Sequence, residues 1–583
     1  MTVIDNLILI LNPGIFLILG GLISAILPLK ISQKFNIALP LLLLVNLWNT
    51  DQGNHFNALF FGYNLELFRV DDFSYIFGII FLIAIAVANL YAISATTSKV
   101  EPSASMIYAG SATAAVFAGD LITLFIFFEI AAISSVFLIW ARGTKRSFSA
   151  GFRYLIVQIG AGVILLSGIL IYTSASGTTG FNKIGTDAPG GLLIFIAFGI
   201  KCAFPFFHNW LQDAYPEATV SGTVILSSFT TKLAIYALAR SYAGTDILIW
   251  IGALMAAFPI FYAVIENDLR RVLAYSLNNQ LGFMVVGVGI GTEMALNGTV
   301  SHAFCHILYK SLLFMCMGAV LLRTGTANGS DLGGLFKSMP WTTGFCIVGA
   351  ASISGFPLFS GFISKSMILT SVSDGGHWGV WLVLLFASAG VFHHSGIKIP
   401  YFAFFAHDQG LRPKEAPMPM LIAMGITASL CFFIGIYPDF LYSLLPFPVD
   451  YAPYTTSHVI NQLQLLMFSA LAFAVLMVFK IYPPELRSTN IDFDWIYRKG
   501  LYTLITSLGK SIKYTEDLLF SVTSKGLKIL MAFVHLRFAS LNRSAQTSIV
   551  GNALVWVLAL LPVSYTHLRA HETREDLVWR GVL

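Results

Sequence analysis

Six residues that can ionise stand in stretches whose neighbours are almost all apolar. Glu129 lies midway through LITLFIFFEIAAISSVFLIW, Leu121 to Trp140. The others are Lys201 (IAFGIKCAFPFF), Lys232 (SSFTTKLAIYAL), Lys310 (SHAFCHILYKSLLF), Lys365 (SGFISKSMIL) and Lys398 (HHSGIKIPYFAFF). A charge at the centre of a bilayer costs roughly 2.5 to 3.5 kcal/mol even on the lenient insertion scale, so six in one chain point to use rather than accident. His302, His306 and Lys310 follow at i, i+4 and i+8, which on a helix puts them on one face over about 12 Å. Groups of this kind, close enough for waters to connect them, can pass protons. Two histidines at i and i+4 can also hold zinc, but no third ligand or carboxylate base stands nearby, and no metal site is expected.

The elements that position these groups follow from their spacing. Lys201 precedes Pro205 and follows a glycine; Lys365 comes just after the break Gly355 to Pro357. Lys232 follows Lys201, and Lys398 follows Lys365, at nearly equal separations. With the apolar runs numbered in order, the pairs fall in spans 7 and 8 and in spans 12 and 13. An offset of five spans inverts the second copy, the pattern of inverted repeats built around discontinuous helices. Proline removes an amide donor, and a broken helix within a bilayer is tolerated only where it is buried in protein or meets water.

Composition sets the solvent. Of 583 residues, 56% are hydrophobic and 11% charged, against roughly 25% charged in soluble domains. Runs of about 20 apolar residues, enough to span a bilayer, recur, as at Leu7 to Leu29, Ser74 to Ala95, Ile156 to Tyr172 and Leu463 to Phe479; the pattern predicts an all-α polytopic membrane protein with about 14 to 16 transmembrane helices. Loops after odd-numbered spans carry Lys30, Lys34, Lys99, Arg142, Lys145, Arg146, Arg270, Arg271, Arg323, Lys337, Arg412 and Lys414, while loops after even spans carry little beyond Arg69, Lys183 and Arg240. The positive-inside rule then places the N-terminus outside a cell (inner) membrane. The opening residues lack a basic n-region and a cleavage site, so the first span is expected to stay. A net charge of +5 is too diffuse for nucleic acid, and the five cysteines (Cys202, Cys305, Cys316, Cys346, Cys431) lack metal or redox spacing.

These features divide the chain into N-terminal spans (1–100), a first five-helix repeat (101–245), its inverted copy (246–410), C-terminal spans (411–481) and a cytoplasmic or amphipathic segment (482–563). From Tyr482 the sequence turns polar and proline-punctuated, and Leu501 to Asn542 mixes apolar and basic residues in a helical rhythm, predicting one or two amphipathic helices on the membrane or on a partner. Ile549 to Val563 is short for a span. The terminal string SYTHLRAHETREDLVWRGVL breaks every preceding trend and resembles translated read-through of a sequencing adapter; Ser564 to Leu583 is read as a non-native tail.

The segments KCAFPFFHNWLQDAYPEATVSGTVILSSFTTKLAIYALAR, NDLRRVLAYSLNNQLGFM, SHAFCHILYKSLLFMCMGAVL and SISGFPLFSGFISKSMIL resemble the antiporter-like subunits shared by respiratory complex I and the Mrp-type multisubunit sodium/proton antiporters. The resemblance covers about residues 70 to 440. PEATVSGTV, with the later HVINQLQLLMFSALAF and IDFDWIYRK, looks more like the D-type branch of the Mrp subunits. The resemblance implies that Glu129 is the essential carboxylate, Lys201 the broken-helix lysine, Lys232 a relay lysine, His302, His306 and Lys310 the central relay, and Lys365 the second broken-helix lysine; Lys398 rests on the internal repeat. Where many relatives read PxHxWLPDA followed by APTPVSA, this chain has FFHNWLQDAYPEATVSG, a departure that touches the loop rather than the charges.

A nearby carboxylate stabilises a buried ammonium, so with Glu129 close Lys201 should hold its proton, and with Glu129 moved or neutralised it should release it toward Lys232 and the histidines. The pair is a switch more than a fastener. His208, Asp213 and Glu217 follow the broken helix at its mouth, as an entry or as a hydrogen-bonded loop; His393 and His394 precede Lys398 by about one turn, on an exit path or in packing; Asp120 is read as a helix cap. The function expected is proton translocation within a monovalent cation (Na+)/proton antiporter complex, with other membrane subunits as partners. A proton-pumping subunit of a complex I-like NADH-quinone oxidoreductase or related energy-converting complex is the alternative. A membrane-embedded enzyme is disfavoured, as no HExxH, paired catalytic aspartates or nucleophile with base occurs, and without iron–sulfur, flavin or nucleotide motifs no cofactor is expected.

Overall fold

In the computed structural model, residues 12–60, 62–96, 98–487, 490–539, 554 and 556–562 are described. They fall into two compact units, Met1–Phe493 and Asp494–Leu583. Ser564 to Leu583, and about half of Ile549 to Val563, lie outside the described residues.

The first unit is a multi-pass helical membrane domain. Its helices are α1 (Pro13–Ile26), α2 (Leu29–Trp48), α3 (Asp72–Ala92), α4 (Val100–Val116), α5 (Leu121–Trp140), α6 (Lys145–Ser176), α7 (Gly191–Lys201), α8 (Asn209–Ala214), α9 (Val220–Leu226), α10 (Thr230–Ser241), α11 (Ile247–Ile265), α12 (Leu269–Ile290), α13 (Glu293–Thr324), α14 (Pro340–Ser354), α15 (Ser360–Asp374), α16 (Trp378–Val391), α17 (Met418–Ile436), α18 (Pro438–Tyr442) and α19 (Thr456–Val478). Eleven helical stretches among the described residues are long and apolar enough to cross a membrane, among them Val220–Ser241 (α9 with α10), Trp378–Phe405 (α16 with the turns that prolong it) and, in the second unit, Ile496–Arg537; α1 and α7 are shorter apolar helices. Lys30 and Lys34, expected in a loop, lie in the first turns of α2. Among the described residues, the only named strands form an antiparallel hairpin of β1 (Gly53–Phe60) and β2 (Tyr63–Val70) between α2 and α3.

Local chemistry sets the ends. Asp71 with Ser74, and Thr144 with Ser147, form reciprocal capping boxes for α3 and α6, satisfying amides that a helix start leaves free. Asp120 caps α5 by accepting from the Thr123 amide at 2.8 Å. The core lies on α9, α10, α12 and α13. From Ala295 to Val320, α13 is buried on every face, and the window spanning α9 and α10 is wholly buried. A helix enclosed by protein all round can carry polar groups that a lipid-facing one cannot.

Loops after odd-numbered spans meet at one face: Glu217 pairs with Arg142, Arg146 and Arg271. At a second cluster Arg69 and Arg240 pair with Asp71, and Arg69 reaches Asn182. The second unit contains α20 (Leu501–Ala539), a single helix with Leu518, Leu519 and Phe520 exposed.

Candidate functional site: a buried line of lysines and histidines

Three helix breaks organise the site. The first follows α7, which ends at Lys201. Ala203 and Phe206 in the turn both have positive φ, 62° and 72°, a conformation that costs a residue with a Cβ on the order of 1–3 kcal/mol. The Ile200 carbonyl accepts from the Ala203 amide at 3.1 Å and from the Trp210 indole at 3.0 Å. The second break, Ser227–Phe229, separates α9 from α10; Lys232 Nζ donates to the Ser227 carbonyl and the Thr230 amide to Tyr108 Oη at 3.0 Å. At the third, Gly355 takes φ 71° after α14 and Leu358 has φ 76°. There Gln462 Nε2 donates to the Ser354 carbonyl at 3.2 Å, and the Leu358 amide donates to Tyr454 Oη at 3.1 Å. Each break thus finds side chains for backbone groups that lipid could not satisfy.

Against these breaks stand the charges. Glu129 on α5 meets Lys201, Oε1 to Nζ 3.5 Å, with side-chain exposures of 20% and 1%. Gly162 on α6 makes room for this carboxylate, because a Cβ there would overlap it. Lys201 Nζ also lies 4.9 Å from the centroid of the Phe128 ring. Lys232 is within electrostatic range of Cys202, beside Lys201, and of His302, His306 and Lys310. The last three are fully buried along α13, the two imidazole rings 6.3 Å apart. His302 Nδ1 is 3.0 Å from Ser364 Oγ. Its Nε2 is 3.4 Å from Tyr309 Oη, which donates to Gln280 Oε1. His306 and Lys310 have no hydrogen-bond partner among the described residues.

Lys365 on α15 donates to the Ile353 carbonyl at the open end of α14, 3.0 Å away. His394 Nδ1 is 2.9 Å from Ser395 Oγ, which donates to Ser276, and His394 is within electrostatic range of Lys310, Lys365 and Lys398. His393 instead packs its ring on Phe473 and Tyr482. Lys398 lies in a π-helical turn, Phe392–Lys398, that prolongs α16. It donates to the carbonyls of Ala263, Val264 and Glu266 at 3.2, 2.7 and 2.6 Å and pairs with Glu485 at 3.0 Å. The groups at the mouth are engaged as well: Arg153 holds Asp213 through two hydrogen bonds, and His208 Nε2 lies 3.3 Å from Asp492.

Sequence reasoning missed the carboxylates that meet these groups from elsewhere. Glu485 and Asp492 come from the polar segment after the last span, and Glu266 from the loop after α11. Buried Glu101 accepts from Thr219 and Ser221. Only the proline-rich polarity of 482–492 was visible in sequence, and polarity alone does not say that a segment folds back.

A helical multi-pass membrane protein whose buried ionisable groups connect broken helices is the class these features define. The family described as NADH:quinone oxidoreductase/Mrp antiporter, TM, matches residues 118–392. The D-type subunit of the Na(+)/H(+) antiporter of Alkalihalophilus pseudofirmus is 30% identical over 353 residues, 56% of this chain and 71% of that protein. Hydrogenase-4 component B of Escherichia coli is 27% identical over 420 residues, 64% of this chain and 62% of its own length. In fold, a chain in the structure of the Mrp complex from Dietzia sp. DQ12-45-1b matches with a TM-score of 0.67, at 19% identity, over 83% of this chain and 100% of that one. The chain belongs to the NADH:quinone oxidoreductase/Mrp antiporter transmembrane family.

Proposed function

We propose that this chain is the proton-translocating subunit of a multisubunit monovalent cation (Na+)/proton antiporter of a cell (inner) membrane, its N-terminus outside and other membrane subunits around it. Glu129, Lys201, Lys232, His302, His306, Lys310, Lys365 and Lys398 form the relay. The observation that carries this reading is the chain of buried groups from the Glu129–Lys201 pair through α13 to Lys398. Neutralising Glu129 frees Lys201 to give up its proton, and the next groups in line accept it. The meeting of arginine-bearing loops at one face supports the orientation.

Likeness to Hydrogenase-4 component B favours a second reading, in which the same relay is driven by a redox partner within an energy-converting complex. Purifying the complex from native membranes and identifying its subunits tests both readings. Small hydrophobic antiporter subunits, with sodium-driven proton movement in vesicles, are expected. Co-purifying hydrogenase-like or quinone-reductase subunits without cation-driven proton movement would reverse the order of the two readings.

A further inference from the structure

The two lysines that end the relay are partnered from different places. Lys201 takes its carboxylate from a span of its own repeat, whereas Lys398 takes Glu485 from beyond the last span. The segment carrying Glu485 folds back along the spans and is fixed at several points. Tyr482 packs on His393 and Phe473. Arg487 holds Asp331 with two contacts of 2.8 Å. Asn490 donates to Glu266 Oε2 at 3.1 Å. Asp492 accepts from Tyr275 Oη at 2.9 Å and lies against His208. This strap therefore spans from the end of the relay to the mouth of the first broken helix.

A purely structural role for Lys398 would need no carboxylate, because three carbonyls at the open end of α11 already accept from its ammonium. A buried carboxylate is costly without a partner, and a buried pair adds little net stability. Glu485 nevertheless stands there with its side chain 5% exposed, facing a lysine at 0%. It is also the carboxylate of this cluster carried by the strap that follows the last span.

We propose that Glu485 is the proton-exchanging partner of Lys398, so that the strap completes the relay with a second lysine–carboxylate switch. The proposal rests on the relay reading above. Lys398 passes its proton to the Glu485 carboxylate, leaving a neutral amine beside a carboxylic acid. Glu485 releases that proton to water, and Lys398 takes the next one from the His394 side. Run in reverse, the same two transfers load the relay. Charge is conserved at each step, and no other reactant is needed.

The test compares sodium-driven proton exchange, per assembled complex on an immunoblot, in vesicles carrying Glu485→Gln, Glu485→Asp, the double Lys398→Met/Glu485→Gln, and Glu129→Gln. A relay role predicts at least about a tenfold loss in Glu485→Gln, the low end of what a positioned proton donor or acceptor contributes, with partial recovery in Glu485→Asp. The double variant buries no unpaired charge, so it should assemble and still fail to transport. A structural pair predicts the opposite, with transport returning alongside assembly, and that result would overturn the proposal. Wild-type exchange in Glu485→Gln with Glu129→Gln inactive overturns this proposal alone; wild-type exchange in both overturns the relay reading and the proposal with it. A measurement on the unmodified complex needs no variant to fold. Dicyclohexylcarbodiimide attacks protonated carboxyls, so the peptide bearing Glu485 should be labelled during turnover, and absence of label there refutes the exchange.

Discussion

Removing the Glu129 carboxylate is the most direct perturbation of the relay, and the structure sets its size. With Nζ and Oε1 3.5 Å apart and an effective dielectric constant near 20, the attraction is about 5 kcal/mol. This exceeds the usual median for surface pairs because Lys201 is almost wholly enclosed. Losing one partner of a buried pair typically costs about 3–5 kcal/mol, so at about 1.4 kcal/mol per tenfold exchange in Glu129→Ala should fall by at least two orders of magnitude. Glu129→Asp keeps the charge but withdraws it by one methylene; at about 5 Å the attraction is about 3 kcal/mol, leaving roughly a tenth of the exchange. Lys201→Ala should match Glu129→Ala, and the double variant should be no worse than either, as for two residues acting as one unit. The assay is dye-monitored exchange in inverted vesicles with subunit amounts checked by immunoblot. Wild-type exchange by a normally assembled Glu129→Ala complex would refute the reasoning.

Three further outcomes follow from other contacts. Gly162→Ala should push the Glu129 carboxylate off Lys201, because the added Cβ overlaps it, and cut exchange about as far as Glu129→Asp with assembly intact; full exchange would show that the carboxylate finds another rotamer. Replacing Leu518, Leu519 and Phe520, all exposed on α20, with Ser should lower complex yield on a mild-detergent gel while the spans still insert, and unaltered yield would show that this face binds nothing. For Asp331, burial raises the carboxyl pKa, but hydrogen bonds led by Arg487 outweigh it and bring it down to about 2. A depressed carboxylate pKa stabilises the fold above its unfolded value near 4 and loses that effect as pH falls toward 2, so the Arg487 tether should hold at neutral pH and release only in strong acid. Because Arg487 is 72% exposed, the tether is worth less than about 1 kcal/mol. Asp331→Asn should accordingly raise hydrogen exchange in residues 482–487 by no more than about fivefold at pH 7, and a larger change would mean that Asp331 anchors more than this pair.

What was legible in sequence depended on how local the signal is. A lysine in an apolar run declares itself one residue at a time, and the breaks at Pro205 and at Gly355 to Pro357 could be placed because proline and glycine act on their own backbone. Asp120 was recognisable as a cap for the same reason. The break at Ser227–Phe229 carries neither residue, so nothing local in the sequence marks where α9 ends and α10 begins. The hairpin Gly53–Val70 joins strands too short to stand apart from the apolar runs on either side. Partner choice was least accessible. That Lys201 meets Glu129 depends on how α5 packs beside α7, and that Lys398 meets Glu485 depends on a segment returning across the fold.

The comparison of the two lysine pairs gives this difference a physical meaning. A carboxylate held on a span is fixed in the same rigid body as its lysine, so its influence changes mainly when a proton or an ion arrives. A carboxylate on a strap can also be withdrawn by moving a few residues of chain whose tether at Arg487 is weak. Lys201 at the end of α7 and Lys365 on α15 each lie beside a helix break, but Lys365 bonds a backbone carbonyl, and the second lysine–carboxylate pair, Lys398 with Glu485, takes its counter-charge from beyond the last span. Within the proposed relay, therefore, the Glu129 end would respond to local protonation, and the Glu485 end, in addition, to displacement of the strap. The half of the relay whose carboxylate lies outside the repeat is the half on which an external element can act without disturbing the packed spans.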